Sequence, residues 1–195
     1  MISTLLKKHS FDIVFDSLAV YRLILEAISN PTKIVNIKNY ADKLFGDHTV
    51  FLAVAMTLLD NEVSFSTAGD SLLSDEITPL TLAKREEVES ADFVFISDPV
   101  NVKRVIESVK SGTLADPHKS ATVIIRDDGA PICRLLLSGP GINGHFEAVT
   151  TQTVRDAIIL RNAQNYEYPQ GIDLIFISEE GKLLAIPRLT RMELL

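Results

Sequence analysis

The chain has 195 residues, 46% hydrophobic and 23% charged, a globular balance that suits one domain over 1–195 and needs no metal or disulfide to hold it. Its net charge of −7 argues against a broad nucleic-acid or anionic-membrane surface, which requires a basic excess, but leaves room for a local basic pocket. One cysteine, Cys133, cannot form an internal disulfide, which fits a reducing compartment. At the start, Lys7, Lys8 and His9 precede "FDIVFD", too short and interrupted for an export segment. The longest apolar stretch, Val50–Met56, is far short of the ~20 residues a membrane span needs. The expectation is a soluble, cytoplasmic protein.

Leu18, Tyr21, Leu25 and Ile28 fall at helical spacing, giving an amphipathic helix over about 17–29 with Ser17 as cap and Asn30-Pro31 as stop. Arg22 and Glu26 form an (i, i+4) pair on another face of it. "KIVNI" (33–37) reads as a short strand. A helix then runs from about 48 to 60, apolar nearly all round and so buried on most sides, with Gly46-Asp47 at its start. "EVSFST" (62–67) is a strand, followed by a polar loop and a helix near 79–89. "ADFVFIS" (91–97) has the continuous apolar run of a central strand. "NVKRVIESVKSG" is a surface helix with Val102, Val105, Ile106 and Val109 inward, ended by Gly112.

Beyond 112, two β-rich runs flank Asp128-Gly129 and read as a hairpin. "TQTVRDAIILRNAQN" is a helix, and "IDLIFISEEGKLLAIP" is a second hairpin turning at Glu180-Gly181. Strands alternate with helices early and pair as hairpins late. That pattern predicts a three-layer α/β/α fold with a mixed sheet, antiparallel at its C-terminal part.

Few motifs carry chemistry. "SGPGING" (138–144) lacks both the Lys-Ser/Thr and the spacing of a phosphate loop and reads as a tight turn. His9, His48, His118 and His145 lie far apart without metal-ligand spacing, so no metal site is expected. No G-x-S-x-G elbow supports a catalytic serine, and no catalytic residue is assigned. His118 in "ADPHKSA" reads as a solvated loop histidine. Lys119 beside it is weak ground for a pyridoxal-phosphate Schiff base, and no cofactor is expected.

The end of the chain is more informative. "YPQGIDLIFI" is a strand buried on both faces that carries an acid, Asp173, and a lone ionised carboxylate there needs a partner. In "KLLAIPRLTRMEL", Pro187 stops the last hairpin strand and Arg188 and Arg191 follow where the chain leaves the sheet. The hairpin brings its free ends together, so Asp173 should pair with Arg188 or cap backbone N–H groups there. Arginine's fixed fork of donors matches a carboxylate or a phosph(on)ate. Arg22, Arg188 and Arg191, with Asp173 orienting Arg188, are the candidate ligand-binding residues.

The block 168–194 closely resembles the C-terminal signature of the H subunit of the bacterial carbon–phosphorus lyase system, the PhnH family. Tyr21-Arg22 ahead of Pro31, "LLDNEVSF" (58–65), "SGTLADPHKSATVII" (111–125) and "LLLSGPGI" (135–142) resemble further blocks in the same order. The resemblance implies a fold related to the large domain of pyridoxal-phosphate-dependent transferases, without the cofactor lysine. It implies a non-redox subunit of the assembly that makes α-D-ribose 1-methylphosphonate 5-triphosphate from ATP and methylphosphonate. It also implies docking onto G-, I- and J-type partner subunits, and a homodimer when isolated. The alternative is a stand-alone protein that binds, or transfers groups to, a phosphonate or nucleotide.

Overall fold

A computed structural model of the chain describes residues 9–194; the Lys7-Lys8 pair read above lies outside the described residues. The elements run α1 (Phe15–Ser29), β1 (Val35–Asn36), α2 (Lys38–Ala41), α3 (Thr49–Leu58), β2 (Ser64–Ser66), α4 (Ser71–Thr81), β3 (Lys84–Arg85) and β4 (Phe93–Ile96). Then come α5 (Val102–Ser108), β5 (Thr122–Arg126), β6 (Cys133–Ser138), β7 (His145–Thr150), α6 (Gln152–Asn162), β8 (Asp173–Ile177), β9 (Lys182–Ile186) and β10 (Arg191–Leu194).

The fold is mixed α/β. Seven strands form one sheet in the order β1-β9-β8-β5-β4-β2-β3. β2, β3, β4, β5 and β8 run parallel, and β9 is antiparallel to both its neighbours. Alternation along the strands builds two cores. Phe95, Ile124, Ile175 and Ile177 pack with α1, α3 and α4 on one face. Val94, Ile96, Val123, Ile125, Leu174 and Phe176 pack with α5 and α6 on the other. α3 is buried at six successive positions, Val50 to Ala55, as its all-round apolar sequence requires.

Three expectations are corrected. The β-rich runs around Asp128-Gly129 do not pair: β5 lies between β4 and β8 in the large sheet, while β6 joins a separate three-stranded sheet, β10-β6-β7. β6 instead forms its hairpin with β7, through the "SGPGING" turn. The helix expected at 79–89 lies at Ser71–Thr81. Asp70 caps it by accepting from the Leu73 N–H at 3.0 Å, Leu73 and Ile77 are its buried stripe, and a left-handed Leu82 ends it. Pro79 sits inside it. Finally, α1 buries Val20, Ile24 and Ala27, whereas Leu18, Tyr21, Leu25 and Ile28 face solvent.

The cap of α1 also differs: the Asp12 carboxylate accepts from the Val14 and Phe15 N–H groups, and Asp16 accepts from the Asp12 N–H, each at 2.8 Å. Glu26 is engaged by Lys33 at 2.5 Å rather than by Arg22.

Candidate functional site

The hairpin of β8 and β9 turns at Glu180-Gly181, with Ile175 opposite Ala185 and Leu174 opposite Ile186. Its free ends therefore lie side by side, and Asp173 meets Arg188 there. Asp173 Oδ1 accepts from the Arg188 backbone N–H at 2.8 Å, and Oδ2 accepts from Nε at 3.2 Å and Nη2 at 2.5 Å. The side chains are 26% and 20% exposed, so the pair is half-buried rather than open to water. Arg188 Nη1 donates to the Pro117 carbonyl at 2.5 Å, which ties the 113–119 loop to the same guanidinium. Gly171, at φ +139°, keeps this approach open, since a Cβ there would lie 3.0 Å from Arg188 Cβ.

After Ile186 the chain crosses from the large sheet to the small one, and Arg161 of α6 holds the crossing. Its Nη1 donates to the carbonyls of Ile186 at 3.3 Å and Pro187 at 3.0 Å, and its Nη2 donates to the Thr190 carbonyl at 2.6 Å. Arg161 is only 2% exposed, and its other acceptor is the Asn162 side-chain oxygen. Among the described residues no carboxylate bonds to it. Burial of this charge pushes its pKa down to about 10, with partial compensation from Asp173 and Tyr166. The sequence reading missed Arg161. Its signal was its place in the stripe Val154, Ala157, Ile158, Arg161, where the inward face of α6 ends on a cation.

These groups border a cleft of about 830 Å³, an ordinary size for a small-molecule site. Arg161, Arg188 and Arg191 line it beside Tyr166, Tyr168 and Asn165, with Glu193 as the lining carboxylate. Of the sequence candidates, Arg188 and Arg191 thus converge, and Asp173 stands behind Arg188. Arg22 does not join them: it is exposed on α1 and absent from the cleft lining. Asp173 balances Arg188, and with Glu193 also in the lining the three arginines leave an excess of one positive charge at the cleft. The arrangement is suited to holding an anion against planar aromatic and amide groups.

The cleft's place is unusual. Asp173 begins β8 opposite Thr122 at the start of β5, so the cleft lies at the amino-terminal edge of the parallel strands. Ligands of open α/β sheets more often sit at the carboxyl edge. That edge holds a second polar cluster. His48 Nδ1 lies 2.8 Å from Glu76 Oε2, and its Nε2 lies 3.5 Å from Asp70 Oδ2. Ser97 Oγ donates to Asp70 Oδ2 at 2.5 Å, not to His48, so these side chains make no serine–histidine relay. His118 is exposed, and Lys119 pairs with Asp116 at 2.9 Å.

Together the fold and the cleft define a mixed α/β protein with an arginine-lined cleft where one sheet passes into another. The chain belongs to the family described as bacterial phosphonate metabolism protein (PhnH), which matches residues 9–193, and its role accordingly lies in bacterial phosphonate metabolism. No curated protein matches it. Among the described residues no helix is long and apolar enough to cross a membrane.

Proposed function

We propose that this chain is a non-redox subunit of the carbon–phosphorus lyase core assembly, supporting the synthesis of α-D-ribose 1-methylphosphonate 5-triphosphate from ATP and methylphosphonate. The family membership over residues 9–193 carries the reading. In this reading the chain works in the cytoplasm, docks onto G-, I- and J-type subunits, and forms a homodimer when isolated. The mixed sheet with a single antiparallel strand, β9, supports a scaffold related to the large domain of pyridoxal-phosphate-dependent transferases.

The arginine-lined cleft favours a second reading beside the first, in which the chain itself holds a phosphonate or nucleotide. Arg188 and Arg191 bind its anionic group, Asp173 positions Arg188, and Arg161 supplies positive potential from below. No step of bond making is assigned to these residues. One experiment separates the readings: titrate the purified chain with ATP and methylphosphonate by calorimetry, then co-express it with the three partner types. Co-purification without heat supports the docking subunit alone. Saturable heat that Arg191→Ala removes supports the ligand site, and failure to co-purify with any partner overturns the subunit reading.

A further inference from the structure

Thr190 borders the cleft with a hydroxyl that bonds to nothing. The residue is only 2% exposed, and its Oγ1 has no hydrogen-bond partner among the described residues. Buried hydroxyls are ordinarily bonded, and leaving one without a partner costs folding free energy. The backbone around it is fully held: the Thr190 N–H donates to the Pro187 carbonyl at 2.9 Å, and the Thr190 carbonyl accepts from Arg161 Nη2 at 2.6 Å. Only the side chain is left over.

The neighbouring arginines differ in what they have to spare. All five N–H groups of Arg161 already have acceptors, so it lends charge to the cleft but no hydrogen bond. Arg188 uses Nε and Nη2 on Asp173 and Nη1 on Pro117, which leaves one N–H on each terminal nitrogen. The Arg191 guanidinium has no protein partner among the described residues. The unused groups can all donate, and they suit a ligand head that only accepts and that gathers several charged oxygens on one atom. With Asp173 and Glu193 counted, the cleft has one positive charge in excess. That matches a single phospho group, which carries about −1.5 to −2 near neutral pH, better than a chain of three. At about 830 Å³ the cleft has far more room than a methyl group on phosphorus fills, and the rings of Tyr166 and Tyr168 line it, the latter 75% exposed.

We propose that the cleft takes a compound with one terminal phospho group, a phosphonate or a phosphate monoester, on a planar organic body, and that the Thr190 hydroxyl donates to that group. The inference rests on the reading in which the chain itself holds a ligand, and it narrows that ligand to one phospho group on a flat body that stacks against the tyrosines.

The test is calorimetry of the full chain in magnesium-free buffer with phenylphosphonate, methylphosphonate, AMP and ATP. Phenylphosphonate should bind about ten-fold more tightly than methylphosphonate through ring stacking, and AMP at least as tightly as ATP. The preference between phenylphosphonate and AMP then identifies the linkage to phosphorus. Thr190→Val replaces the unbonded hydroxyl with a methyl, whereas Thr190→Ser keeps it. Thr190→Val should weaken phenylphosphonate by about ten-fold or more while the ligand-free Tm stays at or above that of wild type. Thr190→Ser should bind within about three-fold of wild type, since the donor survives. Tyr168→Ala, with circular dichroism to check its fold, should erase the preference for the phenyl body. Thr190→Val that binds like wild type, or a ligand-free Tm that falls in that variant, overturns the assignment of the hydroxyl to a ligand. Tighter binding of ATP than of AMP, or of methylphosphonate than of phenylphosphonate, overturns the ligand class. Each of those results spares the reading that the chain holds a ligand; a wild-type chain that binds none of the four overturns both.

Discussion

Asp173→Asn is the substitution that most directly probes the cleft. It keeps the side chain's size and part of its hydrogen bonding but removes the charge that faces Arg188. In the native protein the carboxylate takes the Arg188 backbone N–H and the Nε and Nη2 edge of its fork. Breaking a fully buried ion pair costs ~3–5 kcal/mol, because the surviving charge stays desolvated. Here the side chains keep 26% and 20% of their exposure, so solvent screens part of that loss. About 2–3 kcal/mol is expected. For a chain of this size that lowers Tm by roughly 5–10 °C, measurable by circular dichroism or calorimetry. Arg188→Lys should lose a comparable amount, since an ammonium cannot hold both Asp173 and the Pro117 carbonyl in the same plane. The double variant should then cost at least 1 kcal/mol less than the two single losses together. A Tm for Asp173→Asn within 1 °C of wild type, or strict additivity in the double variant, would refute the reasoning.

Arg161→Met removes the group that satisfies three backbone carbonyls at the crossing between the sheets, and should destabilise by roughly 2–4 kcal/mol in urea unfolding. Since the same arginine lines the cleft, any anion affinity measured there should also fall above about pH 10, where Arg161 loses its proton. Gly141→Ala places a Cβ against the Ser29 carbonyl at φ +81° and should cost about 1–3 kcal/mol by shifting the β6–β7 turn off the end of α1. Acid should destabilise through Asp16 and Asp92. Burial opposes their ionisation, but hydrogen bonds from Lys43 and the Asp12 N–H, and from Lys110 and Ser64, hold both carboxyls below the ordinary value of 3.8. The folded state then binds fewer protons than the unfolded one. Their stabilisation is full above pH ~4 and is lost as pH falls through the lowered values, so Tm against pH should drop below about pH 4 and flatten above it.

The Asp173–Arg188 contact was legible in the sequence because it is nearly local. A tight hairpin fixes which residues share its open end, and an acid inside an apolar run demands a partner within reach. The central strand at 93–96, the inward face of α5 and the buried α3 were readable for a similar reason, since their periodicity has one interpretation. Where a segment admits two interpretations, the reading went astray. The run before Asp128 and the run after Pro131 both favour strand, and propensity does not say that a second sheet waits for the later one. Around 70–82, the Asp70 cap and the buried pair Leu73 and Ile77 set the helix at Ser71–Thr81, ahead of the 79–89 that the sequence reading expected.

By itself the sequence determined the alternation of elements, the C-terminal hairpin and the charge pair at its mouth, because these follow from interactions among near neighbours. Tertiary structure alone decided that Arg161, twelve residues before Asp173, comes to rest beneath the crossing between the sheets and completes the cleft. It alone decided which apolar side of α1 turns inward. A helix with hydrophobic residues on both sides gains similar free energy from burying either, so the choice falls to the shape of the sheet and of the helices it packs against.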